Sequence, residues 1–159
     1  MRSAVDKSAD GERSTQGEVL VFRLREQEFC VNATSVKEIR AWVPAALLPH
    51  SPPYLLGVIN LRGTVLPIVD MAVRLNFPAG GRAQQPVIVV VWVDGKQIGL
   101  LVDAVCDIIA IDPSVVQPTP QLLSSAALDL VSSLVNVGNR VIGLLTLDRI
   151  LALPEADAP

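Results

Sequence analysis

Chemistry in this chain would have to come from a handful of polar side chains, and most of them point away from catalysis. The single histidine, His50, lies in the proline-punctuated stretch "VPAALLPHSPPY" (43–54) with no nucleophile beside it, so it reads as a solvated loop residue. Cys30 and Cys106 are far apart, have no metal-ligand spacing, and read as small half-buried hydrophobes. Asp94, Asp103, Asp107 and Asp112 are scattered through turns and strand ends, and nothing nominates a general acid–base pair among them. No GxSxG, P-loop or GxGxxG pattern occurs, and "AGGR" (79–82) reads as a linker, not a phosphate cradle. The expectation is a protein with no catalytic residues, no metal and no cofactor.

Two charges flanked by apolar sequence remain: Glu38 in "SVKEI" (35–39) and Arg62 in "GVINLRGTVLPIVD" (57–70). An arginine–carboxylate pair can be bidentate and geometrically specific, and arginine is enriched at protein interfaces. Val36 and Ile39, three residues apart, can share a face while Glu38 projects elsewhere.

The elements that must position this pair are read from hydrophobic blocks bounded by Gly, Pro, Asp and Asn, a pattern of strands. "VLVFRL" (19–24) and "FCVN" (29–32) flank the polar "REQE", giving one hairpin. "VIVVVWV" (87–93) and "KQIGLLV" (96–102) flank Asp94-Gly95, a two-residue turn type that accepts positive φ at both positions. "LLGVINL" and "TVLPIVD" meet at Arg62-Gly63 as a third hairpin, in which Pro67 demands an edge strand or a bulge. Ser51 is placed to cap one helical turn over "PPYLL", and "QLLSSAALDLVSSL" (121–134) is a longer helical candidate.

The chain also repeats. Residues 29–39 align with 98–108 at a shift of 69, so Val36 meets Val105, Glu38 meets Asp107 and Ile39 meets Ile108. Residues 59–66 align with 135–142 at a shift of 76, so Asn60 meets Asn136. The same order of elements thus occurs twice, predicting two subdomains of about five strands over roughly 17–76 and 86–153, with exchange of chain between them left open. Each half is marginal alone and must bury apolar surface on the other, and the seam between them makes a groove. In the second half the Arg62-Gly63 turn is written Gly138-Asn139, so the turn itself does not require arginine.

Composition agrees with a compact binding module. The 159 residues are 50% hydrophobic and 4% aromatic, with a net charge of −3, which argues against a nucleic-acid surface. Residues 1–16 and 154–159 are small, polar and charged, and read as disordered tails without a secretory signal. No apolar run reaches the roughly 18–20 residues that cross a bilayer. Direct membrane insertion is not expected, and the cytoplasm is the expected compartment.

The segments "SVKEIR" (35–40), "GVINLRGTVLPIVDMAVRL" (57–75), "GLLVDAVCDII" (99–109), "QPTP" (117–120) and "GNRVIGLLTLDRIL" (138–151) together resemble the CheW family of bacterial chemotaxis coupling proteins. The resemblance covers about residues 17–153. It implies an all-β fold of two SH3-like five-stranded barrels in tandem, packed on a hydrophobic seam with short helices. It also implies a non-catalytic adaptor joining the cytoplasmic tip of methyl-accepting chemoreceptors to the regulatory domain of the histidine kinase CheA, with further copies of the adaptor in rings. The receptor hairpin would pack in the groove between barrels, near Val36, Glu38, Ile39, Arg62, Gly63, Val102 and Val105. A kinase contact would lie on the first barrel, and a ring contact near Gln117 and Leu122, where the family often shows a basic and an aromatic residue. Ser133 occupies the repeat position of Gly57, where the family usually has glycine in both halves. Two other readings stay open: an adaptor for pili or another non-flagellar output, and a cytoplasmic β-barrel for a small ligand, suggested by the very apolar second half.

Overall fold

The computed structural model describes residues 17–78, 81, 83–118 and 130–150. Among the described residues the strands and a short α-helix follow one another as β1 (Glu18–Leu24), β2 (Gln27–Asn32), β3 (Val36–Ala41), β4 (Leu55–Leu61), β5 (Thr64–Asp70), α1 (Met71–Arg74), β6 (Val87–Val93), β7 (Lys96–Val102), β8 (Ala104–Ala110), β9 (Val116–Pro118), β10 (Val131–Val137) and β11 (Arg140–Leu145). The three hairpins form where turn chemistry places them. Asp94 and Gly95 both take positive φ, 52° and 77°, matching the twist of the strands they join.

The strands form a five-stranded sheet, β3-β6-β7-β5-β4, and a six-stranded sheet, β8-β1-β2-β11-β10-β9, the extra member being the three-residue β9. The all-β expectation holds. The sheets do not follow the two halves of the chain, however. Hairpin β1-β2 sits between β8 and β11, while hairpin β6-β7 sits between β3 and β5. Each half gives its first hairpin to the other half's sheet. The boundary expected at 76–86 therefore does not separate the sheets: one takes its strands from residues 36–102, the other from 18–32 and 104–145. The exchange is closed by two short parallel pairings, β5 on β7 (Ile68↔Gly99) and β11 on β2 (Leu144↔Cys30). These two pairs are equivalent under the sequence shifts of 76 and 69.

Packing follows the same symmetry. One cluster, with Leu20, Phe22, Phe29, Val31, Val89, Val91, Leu100 and Val102, fills the space between the sheets. A second (Ile59, Leu61, Leu66, Ile68, Ile88, Val90, Leu101) lies within the five-stranded sheet and a third (Val19, Val21, Cys30, Ile111, Val135, Ile142) within the six-stranded one. Strand β6 serves two clusters, Val89 and Val91 facing the other sheet while Ile88 and Val90 face inward, which is why its sequence is an unbroken apolar run. Each such side chain contributes about 1.5–3 kcal/mol by leaving water.

Four local expectations change. Pro67 lies in the interior strand β5, yet pairing with β7 begins only at Ile68, so its missing N–H falls where that side of the strand has no ladder. Leu55 starts a strand, and Ser51 Oγ donates to the Leu48 carbonyl instead of capping a helical turn. The helix expected over 121–134 is a strand from Val131, because this segment repeats β4 and buries Val131 and Val135; residues 121–129 lie outside the described residues. Cys30 is buried, but Cys106 is exposed, because it occupies the bulge in β8.

Candidate functional site: the Glu38–Arg62 rim and the seam

Strand β3 is an edge strand, and a bulge at Lys37 decides what it presents. Val36 pairs with Val91 and Glu38 with Val90, so Lys37 is the extra residue and the two flanking side chains turn to opposite faces. Val36 packs against the cluster between the sheets, and Ile39, opposite Val89, continues that face outward with 47% exposure. Glu38 and Arg40 share the face of Val90 and Ile88. The three-residue spacing of Val36 and Ile39 thus does put them on one face, by way of the bulge. Strand β8 repeats the device: Phe22 pairs with Val105, Val21 with Asp107, and Cys106 is the extra residue. Val105 packs on the same inter-sheet cluster as Val36, from the other sheet, and Ile108 is exposed like its mate Ile39. Ile108 is a residue that the sequence reading passed over, although the repeat alignment already paired it with Ile39.

Val102 does not offer a surface. It is 1% exposed inside the inter-sheet cluster, so it supports the seam from beneath and cannot itself touch a partner. Gln117 lies exposed in β9, and Leu122 falls outside the described residues.

At the rim, Arg62 Nη2 donates to Glu38 Oε2 at 2.5 Å, although β3 and β4 are opposite edges of their sheet. The sheet curls until its edges meet through this pair. Lys37 Nζ donates to the same Oε2 at 3.2 Å, and Arg40 Nη1 lies 3.5 Å from Oε1. The Arg62 hydrogen bond first, and the Lys37 hydrogen bond after it, hold the Glu38 carboxyl below its ordinary range. Three cations around one carboxylate leave the cluster with a net charge of +2. The Arg40 Nε is buried without a hydrogen-bond partner.

Gly63 closes the turn at φ 87°, its N–H donating to Asn60 Oδ1 at 2.9 Å. Arg62 precedes it at φ 52°, a left-handed conformation that costs an L-residue with a Cβ roughly 1–2 kcal/mol. Asp94 fills the same turn position in the β6–β7 hairpin with a short side chain that tolerates it better. Arginine is therefore held here against the backbone's preference, its side chain 60% exposed.

The second half is not without such a group. Arg140, just past the Gly138-Asn139 turn, donates from Nε to Glu28 Oε1 at 2.9 Å and from Nη2 to Glu28 Oε2 and Asp107 Oδ1, both at 3.2 Å. Asp107 is the repeat mate of Glu38. Both hairpins thus carry an arginine, in the turn at Arg62 and two residues further on, at the start of β11, in the second half. A cavity of about 700 Å³ opens beside Arg140 and Glu28, away from Arg62. Among the described residues no three His, Cys, Asp or Glu are grouped to hold a metal ion, and no helix is long and apolar enough to cross a membrane.

Fold and site together define the class: an all-β, two-sheet protein built by hairpin exchange, with its charged rim and apolar seam turned to the surface. The CheW-like domain family matches residues 18–155. The probable chemotaxis protein CheW of Rhizobium etli is 43% identical over 158 residues, covering 99% of both chains. The chemotaxis protein CheW of Rhizobium meliloti is 44% identical over 141 residues, 89% of this chain and 91% of that one. The crystal structure of scaffolding protein TtCheW from Thermoanaerobacter tengcongensis superposes with a TM-score of 0.80 at 26% identity, covering 87% of this chain and 94% of that chain. The chain belongs to the CheW family of chemotaxis proteins.

Proposed function

We propose that this protein is a non-catalytic adaptor that couples methyl-accepting chemoreceptors to a CheA-type histidine kinase in the cytoplasm. The observation that carries this reading is the seam itself. Ile39 and Ile108 are exposed on two sheets, half-buried Val36 and Val105 pack beneath them on one shared core, and exposed Arg62 reaches the same strand β3 through Glu38. An amphipathic receptor helix laid along such a seam would gain affinity from apolar anchors and register from the charged rim. The kinase regulatory domain and further adaptor copies would bind elsewhere on the barrels, with Gln117 and Leu122 near a ring contact. The bridge transmits receptor state because a stiff double-sheet body moves as a unit.

The test is Arg62→Glu in reconstituted arrays of receptor, kinase and adaptor. It brings two carboxylates together at the rim, and kinase activation is expected to fall about ten-fold or more, the scale of an interface arginine. The circular dichroism spectrum and Tm stay those of the parent. Full activation by the variant would overturn the assignment of this rim.

A further inference from the structure

Each sheet has a gap where its parallel strand pair opens. In the five-stranded sheet, β5 and β7 are paired over Ile68–Asp70 and unpaired before it, leaving a groove of about 440 Å³ lined by Thr64, Val65, Pro67, Trp92, Gln97 and Ile98, among others. Every residue lining this groove has its repeat mate, at a shift of 76 or −69, in the lining of the 700 Å³ cavity of the six-stranded sheet. Pro67 maps to Gly143, Val65 to Val141, Trp92 to Arg23 and Ile98 to Phe29.

The difference lies in what covers them. The cavity in the six-stranded sheet is lined in addition by Leu75, Asn76, Phe77 and Pro78, the chain that leaves α1. Asn76 takes φ 66°, and the Phe77 N–H donates to the Ala72 carbonyl at 2.8 Å, a left-handed helix end that lays Phe77 on the edge of Phe29, centroids 6.1 Å apart. In the other sheet none of the described residues lines the groove where Leu75–Pro78 line the cavity; Trp92 is 42% exposed there, and Val65 at 64% is close to its mate Val141 at 58%.

The repeat also names the chain that should lie there. Met71–Arg74 follows Asp70, and the 3-10 turn Leu147–Arg149 follows Thr146, at the same shift of 76. Beyond them, Leu75-Asn76-Phe77-Pro78 aligns with Leu151-Ala152-Leu153-Pro154. The family match runs on to residue 155, through this segment. Glu155 and Asp157 follow it, and Lys96 lines the groove, so the charges are complementary.

We propose that residues 151–154 occupy the Val65–Pro67–Trp92–Ile98 groove, with Leu153 where Phe77 sits in the other sheet. The larger Trp92 at the rim accommodates the smaller Leu153. Ala152 stands where Asn76 takes its left-handed turn, so this closure is the weaker of the two.

Trp92 is a built-in reporter. In a Trp42→Phe background it is the sole tryptophan, and the full-length chain can be followed by emission and acrylamide quenching. Leu153→Asp is expected to red-shift Trp92 emission and remove its protection from acrylamide. Ala152→Asn, which favours the left-handed turn, is expected to increase that protection. Far-ultraviolet circular dichroism on the same samples verifies the fold. Emission and quenching unchanged by both variants would overturn the proposal. Protection that grows with protein concentration would also overturn it, by making a second copy the occupant.

Discussion

The two hairpin ends, Arg62 with Glu38 and Arg140 with Asp107, occupy related places in a repeated fold and differ in how their charge is spent. Arg140 is bonded by two carboxylates and its side chain is 34% exposed. Its hydrogen bonds to Glu28 first, and then to Asp107, hold its guanidinium protonated even more firmly than usual. That triad carries a net charge of −1 and has its donors engaged within the molecule. At the other end one carboxylate serves three cations, and Arg62 stands 60% exposed in a left-handed turn. The same scaffold thus supplies one end that is net negative with its arginine bonded internally and one that keeps unspent positive charge. A pseudo-symmetric adaptor needs such a difference for its partners to tell its two ends apart.

The largest expected effect compares the two β-strand positions that the repeat equates, Gly57 and Ser133. A Cβ at Gly57 would lie 2.2 Å from the Ala46 carbonyl oxygen, because residue 46 bridges directly to Val58. Ser133 instead pairs with Pro118 of β9 and accommodates its side chain. Gly57→Ala should cost about 3 kcal/mol in denaturant unfolding, whereas Ser133→Gly should cost no more than about 1 kcal/mol. Equal losses at the two positions would show that the strands flanking them are not packed as differently as described.

A smaller effect separates the two arginines. Arg140→Gln leaves Glu28 and Asp107 facing each other and is expected to cost about 1 kcal/mol, after allowance for solvent screening. Arg62→Gly removes a left-handed side chain and an exposed ion pair that contributes little, so Tm should not fall, while kinase activation should. Thermal melts of both variants beside array assays would break the comparison if Arg62→Gly proved the less stable of the two.

The smallest effect is electrostatic. Because the native Glu38 carboxyl titrates below its ordinary range, its contribution to stability is fully present above the unfolded value near 4.3 and is lost as the pH falls through the lowered native value. In an NMR titration, Arg62→Ala should move the Glu38 midpoint upward, toward the ordinary value. A midpoint that stays in place would show that Lys37 alone holds the carboxyl down.

Much of this was legible from residue types. Asp94-Gly95 declared its hairpin, and the repeat at shifts of 69 and 76 predicted equivalences that the parallel registers obey. The Glu38–Arg62 pair was legible because both charges interrupt apolar runs. The depth of Val102, expected near the receptor groove and buried beneath the seam, was not legible, since alternation along β7 cannot say which face lies between two sheets when both faces are buried. The strand at Val131 was hidden by serines and a leucine spacing that also suits a helix, and only its pairing with β11 and β9 decides between them.

By itself, then, the amino-acid order determined the local geometry: where the chain turns, which residues alternate, and that the pattern occurs twice. These are short-range matters of φ preference and side-chain period. The exchange of hairpins between sheets was decided only in three dimensions, because an isolated half leaves its strands unpaired and the parallel registers join residues far apart in the chain. The same holds for the bulges at Lys37 and Cys106, which turn Val36 and Val105 onto one core and leave Glu38 free to meet Arg62.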